Sequence, residues 1–163
     1  MKGICCFCFY KHHTRKVMTD NKKKEIRSLV ENAKNVYVSS VDEMGYPNIK
    51  AMLALQHDGL FIHYFSTQYS SRRTQQFLKN PKASVYFCNE EQFMGLMLTG
   101  EIEVMTDREH KAMLWREGFE IYYPDGIDTE DYCVYKFTAF KANYYHGLEN
   151  NDFILEDFEN AEL

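Results

Sequence analysis

The segment Thr67-Gln68-Tyr69-Ser70-Ser71-Arg72-Arg73-Thr74 carries the clearest chemical signal in the chain. It joins a stretch of strand character to a helix expected over 70–79. A helix N-terminus presents unpaired N–H groups and partial positive charge, so acidic residues are favoured there. Here two arginines occupy the first turn. The conflict costs about 0.3–1 kcal/mol per exposed charge. A bound anion would resolve it. Free amides, two guanidinium groups and the hydroxyls of Thr67, Ser70 and Ser71 can enclose a phosphate. Alternatively, Ser70 caps the helix and both arginines extend into water. The segment alone leaves both readings open.

Other groups with reactive chemistry read more plainly. Cys5, Cys6 and Cys8 with His12 and His13 offer thiolate and imidazole ligands, but Cys-Cys-x-Cys is not a structural-zinc knuckle, so no metal site is expected. Cys88 and Cys133 fall in strands and read as packing residues. His63 also reads as structural. Trp115 has apolar neighbours at helical spacing and reads as core. Tyr144, Tyr145 and His146 read as sheet residues. Glu101 and Glu103 alternate onto one strand face, as on a solvated sheet surface.

The elements that must position the Arg72-Arg73 segment follow from periodicity. Ile26, Leu29, Val30 and Ala33 recur at helical spacing and predict a helix over 22–34. Strands are expected from Val36 to Val41, Tyr46 to Leu55 and Leu60 to Phe65 as an antiparallel meander, with turns at Asp42-Glu43-Met44-Gly45 and His57-Asp58-Gly59. Asn80-Pro81 ends the helix over 70–79. Strands over 83–88 and 96–105 follow. Thr106-Asp107-Arg108-Glu109 has the form of a capping box, opening a helix over 107–118. Strands over 133–140 and 142–146 complete the pattern. Mostly antiparallel strands with flanking helices predict a barrel.

The 163 residues suit one domain, 45% of them hydrophobic and 15% aromatic. The expected organisation is a loosely attached extension over 1–17, a domain over 18–148 and a frayed acidic tail over 149–163. A net charge of -5 argues against a nucleic-acid partner. No apolar run reaches the roughly 20 residues that span a bilayer, so no membrane partner is expected. Met1 to Tyr10 makes a poor signal peptide, so a cytoplasmic location with reduced cysteines is expected.

Phe65-Ser66-Thr67-Gln68-Tyr69, Ser71-Arg72-Arg73, Phe77-Leu78 and Asn80-Pro81, in that order, resemble a segment of the pyridoxamine 5'-phosphate oxidases. Pro47 to Leu53 sits where that family has its flavin strand. Leu98-Thr99-Gly100-Glu101-Ile102-Glu103-Val104 resembles its strand–Gly–strand segment. Tyr132 to Phe137 and Ala142 to Tyr145 resemble the final strands of the smaller general-stress-protein branch. The resemblance covers about residues 24–146. It implies an antiparallel split β-barrel binding FMN, usually as a homodimer with flavin at the interface. By position, Arg72 and Arg73 would hold the FMN phosphate with Lys50 and Ser71, while Ala51, Met52, Ser66 and Thr67 would border the ring.

Two departures stand out. Gly95 occupies a position where the larger oxidases carry a polar residue, typically Gln. Their C-terminal Trp, Arg and His substrate motif is missing, and Glu149-Asn150-Asn151-Asp152 stands there instead. The expected function is therefore an FMN-dependent oxidoreductase acting on an unidentified small-molecule substrate or electron donor. The alternatives are a flavin-binding module without turnover and a split-barrel protein that binds haem.

Overall fold

A computed structural model describes residues 18–160, and their side chains as far as Phe158. The 1–17 extension, with its cysteines and histidines, lies outside the described residues. Helix α1 (Asp20–Glu31) buries Ile26, Leu29 and Val30 on one face. Strands β1 (Asn35–Val41) and β2 (Pro47–Leu53) form a hairpin. Asp42 makes its turn: the carboxylate accepts from the amides of Met44 (3.0 Å) and Tyr46 (2.9 Å). Short β3 (Gln56–Asp58) and β4 (Ile62–Gln68) follow, then α2 (Arg72–Lys79), β5 (Lys82–Asn89), β6 (Met94–Met105), α3 (Arg108–Leu114), β7 (Tyr132–His146), β8 (Glu149–Ile154) and α4 (Leu155–Asn160).

All pairings are antiparallel, in the order β2-β1-β5-β6-β7-β4-β3. Strand β7 organises the sheet. One side of it pairs with β6 along most of its length. Its other side pairs first with β4, through Tyr132–Thr138, and then with β8, through Lys141–His146. A register shift at Thr99/Gly100 bends β6 where β7 passes from β4 to β8. A Cβ at Gly100 would lie 2.1 Å from the Thr138 carbonyl oxygen, so the bend requires glycine. The sheet curls until β2, at one end of the order, approaches β4 near the other. This is the half-barrel that the strand pattern predicts.

Alternation along β7 serves two cores. Cys133, Tyr135 and Phe137 enter the barrel core with Val36, Val38, Phe65, Val85, Phe87, Leu96 and Leu98. Tyr132 and Val134 face a second cluster with Leu114 and Tyr123, edged by Trp115 and Phe119.

Several boundaries differ from the sequence expectation. The meander stops at β2, because β4 pairs with β3 and β7 rather than with β2. The strands expected over 133–140 and 142–146 are one strand. Asp107, not Thr106, caps α3 by accepting from the His110 amide. Helix α3 stops at Leu114, where Trp115 turns out of helical geometry and packs edge-on against Phe119 and Tyr132. The tail expected to fray instead forms β8 and α4, which bury Leu155 and Phe158 in the main core.

Candidate functional site

The end of β4 runs directly into α2 and sets five of the expected site residues in succession. Ser66 and Thr67 lie opposite Val134 and Cys133 in the β4–β7 ladder. Ser71, rather than Ser70, caps α2: its Oγ accepts from the Thr74 amide at 3.2 Å. The Ser70 hydroxyl donates instead to Asp131, at 2.9 Å.

Hydroxyl chemistry fixes the proton order beneath the cap. Thr74 Oγ1 donates to the Gln68 carbonyl at 2.7 Å. It therefore accepts from both Ser71 Oγ (2.9 Å) and the Tyr135 hydroxyl (2.6 Å). The Ser71 hydroxyl is thus committed to the cap and offers no proton to a ligand. The amides of Arg72 and Arg73 open the helix and lie beyond reach of intrahelical acceptors.

The two arginines differ. The Arg72 side chain is 78% exposed, with Nη2 3.9 Å from the Asp42 carboxylate. That carboxylate accepts two turn amides and the Asn48 amide group, chiefly the Tyr46 amide, and they hold its pKa below the ordinary carboxylate value. A Lys79–Glu43 ion pair also ties α2 to the β1–β2 turn. Between them lies a cleft of about 510 Å³ lined by Asp42, Glu43, Arg72, Gln75 and Lys79 among others. Arg73 points elsewhere. Its guanidinium is partly buried beside Tyr135, its Nη1 has no hydrogen-bond partner, and burial lowers its pKa. A buried cationic donor without an acceptor is costly. The donor set here fits a phosphate, and Arg73 holds a buried donor that such a group could satisfy.

Lys50, Ala51 and Met52 lie mid-strand in β2, opposite Val38, Tyr37 and Val36. Lys50 and Ala51 are exposed, and Met52 packs partly on the core. Since β2 ends the sheet order, one side of its backbone is free to meet a ligand edge. It approaches β4 across the open seam of the half-barrel; Ala51 shares the outer sheet face with Tyr37, and Lys50 and Met52 lie on the opposite face with Val38 and Val36.

The remaining reactive groups are structural. His63 is buried against Phe87 and Phe137, and desolvation lowers its pKa to about 4. Burial pushes the Cys133 thiol up to about 12, leaving it unreactive. Glu101 and Glu103 are both exposed. Among the described residues, no group of three or more His, Cys, Asp and Glu is placed to hold a metal, and no helix is long and apolar enough to cross a membrane. At Gly95 the hydroxyls of Tyr86 and Tyr145 meet at 2.7 Å. A Cβ on Gly95 would lie 2.4 Å from the Tyr86 oxygen, so this phenol pair occupies the space a polar side chain would need.

Sequence reading missed Asp42, Thr74, Tyr132 and Tyr135. The first two had local signals, an Asx turn and a hydroxyl three residues after a cap. The tyrosines had none, because their roles depend on the pairing of β7 with β4.

A curled antiparallel sheet with a cationic helix start beside its seam defines the class as a split β-barrel. The family model for pyridoxamine 5'-phosphate oxidase matches residues 23–146, and the chain belongs to that family. A solved Clostridium acetobutylicum protein, related to general stress protein 26 of B. subtilis and of the pyridoxinephosphate oxidase family, is similar at 45% identity. That match covers 86% of this chain and 99% of the other, with a TM-score of 0.80. A pyridoxamine 5'-phosphate oxidase-type structure from Listeria innocua shares the fold at 20% identity, covering 77% of this chain and 98% of the other (TM-score 0.64). A heme binding protein from Mycobacterium smegmatis shares it at 14% identity, covering 87% of this chain and 61% of that one (TM-score 0.68). No curated protein matches the chain.

Proposed function

We propose that the chain binds FMN at the seam between β2 and the β4–α2 junction and serves as a flavin-dependent oxidoreductase for a small-molecule substrate or electron donor. The observation that carries this reading is Arg73, whose buried Nη1 lacks an acceptor at the start of α2. A phosphate would supply that acceptor, with the Arg72 and Arg73 amides beside it and the exposed Arg72 side chain adding positive charge from farther off. Lys50 would add its charge toward the phosphate, and the free edge of β2 at Ala51 and Met52 and the β4 residues Ser66 and Thr67 would border the ring. The flavin supplies hydride or electron chemistry when bound, and the protein's part is to hold and orient it. Membership of the oxidase family supports the reading.

The active form in this proposal is a homodimer in the cytoplasm, with the cofactor between copies. By register, Tyr37, Ile49, Leu53 and Met97 share the outer sheet face, and each is exposed. An apolar row of this kind suits burial against a second copy. An absorption spectrum of the purified protein tests the cofactor. Paired near-UV and blue bands are expected; a single intense Soret band would replace flavin with haem, the cofactor class of the Mycobacterium smegmatis neighbour. Anaerobic reduction by NADH or NADPH then separates an enzyme from a module without turnover.

A further inference from the structure

Ser66 and Tyr132 form a short relay whose proton direction the structure fixes. Tyr132 is fully buried. Its hydroxyl lies 3.2 Å from the main-chain carbonyl of Lys111 in α3 and 3.1 Å from Ser66 Oγ. A carbonyl only accepts, so the single phenolic proton goes to Lys111. Ser66 must then donate its own proton to the Tyr132 oxygen. What remains on Ser66 Oγ is acceptor capacity alone. Ser66 itself is only partly buried.

We propose that Tyr132 is a positioning residue that presents Ser66 Oγ as a hydrogen-bond acceptor to an N–H on the edge of the bound ring. The inference rests on the flavin reading above and deepens it. It divides the site by chemistry. The start of α2 offers donors and positive charge, which suit a phosphate. Ser66, on the strand before it, offers only lone pairs, which repel phosphate or carboxylate oxygens and favour a nitrogen heterocycle carrying a proton. The ligand class is therefore a phosphate-bearing planar heteroaromatic with an N–H at its rim. The outer anchor of the relay is also fixed. Lys111 is buried, its ammonium donates to the Thr129 carbonyl at 3.1 Å, and it lies 5.9 Å from the centre of the Tyr132 ring. Tyr132 packs against Trp115 and Tyr123, so its hydroxyl has little freedom to turn.

The test is a double-mutant cycle on FMN affinity with Ser66→Ala, Tyr132→Phe and the pair, read by quenching of flavin fluorescence. Each single change is expected to weaken binding about 3- to 10-fold, the range for loss of one hydrogen bond. The double variant should be no weaker than Ser66→Ala, because Tyr132 acts through Ser66. NMR of bound FMN labelled with 15N and 13C gives the second readout. A ring N–H proton should move upfield in both single variants. Should Tyr132→Phe lose its fold by melting and circular dichroism, Ser66→Ala, which keeps the Tyr132–Lys111 bond, decides the NMR comparison alone. Multiplying losses in the double variant, a response at a ring carbonyl instead of an N–H, or unchanged affinity in both single variants would each overturn the proposal while leaving flavin binding standing. A parent protein that fails to bind FMN would overturn both.

Discussion

Arg72 and Arg73 are adjacent in sequence but differ in electrostatic setting. Arg72 is exposed and already has Asp42 within 3.9 Å. Arg73 is partly buried with an orphaned donor. In the proposed site, Arg73→Ala should therefore weaken FMN binding about 10- to 100-fold, as for a charge-assisted bond. Arg72→Ala should cost no more than about 5-fold, the scale of an exposed ion pair; titration of FMN into each variant checks the order. His63 governs a different property. Its folded pKa is about 4, depressed from 6.5 mainly by burial. The unfolded chain therefore binds more protons between those values, and stability should fall as pH drops from 6.5 toward 4. His63→Phe should flatten that part of a melting-temperature profile against pH. At this scale the cationic helix start was legible because it breaks a local rule. The difference between its two arginines was not, since it depends on Asp42 and Tyr135, which lie 30 and 62 residues away from Arg72 and Arg73 by number.

Among the elements, the strands and helices visible as local periodicity were readable, while their pairing was not. Nothing between Tyr46 and Phe65 distinguishes a continuing meander from a chain that abandons β2 and joins β7. That choice is made by the long-range β4–β7 ladder. Strand β8 is hidden by its composition. Asn150 and Asp152 read as tail residues, yet both accept from the Asn143 amide on β7. A chain ending at Leu148 loses the burial of Leu155 and Phe158, worth about 3–6 kcal/mol together. Its melting temperature should fall by at least about 6 °C. A chain starting at Met18 should keep its fold and, under the proposed reading, its capacity to bind FMN, which calorimetry and flavin content would check. Gly100→Ala should destabilise by more than about 1 kcal/mol, because the added methyl meets the Thr138 backbone rather than a movable side chain; denaturant unfolding measures this.

At the scale of the molecule, curling of the sheet makes a site from residues distant in sequence. It brings the free strand β2, which carries Lys50, Ala51 and Met52, toward β4, whose end leads into the helix that Arg73 opens. The exposed row Tyr37, Ile49, Leu53 and Met97 should be covered in a twofold dimer, and light scattering at micromolar concentration should give twice the 19.4 kDa chain mass. The central claim is that the α2 start holds a flavin phosphate. Calorimetric titration of FMN and riboflavin into the parent and into the Arg72→Ala/Arg73→Ala variant tests it most directly, since the ligands differ only in the phosphate. The account expects FMN affinity to fall by about two orders of magnitude and riboflavin affinity to change far less. Unchanged FMN affinity in the variant, or equal losses for both ligands, would contradict it.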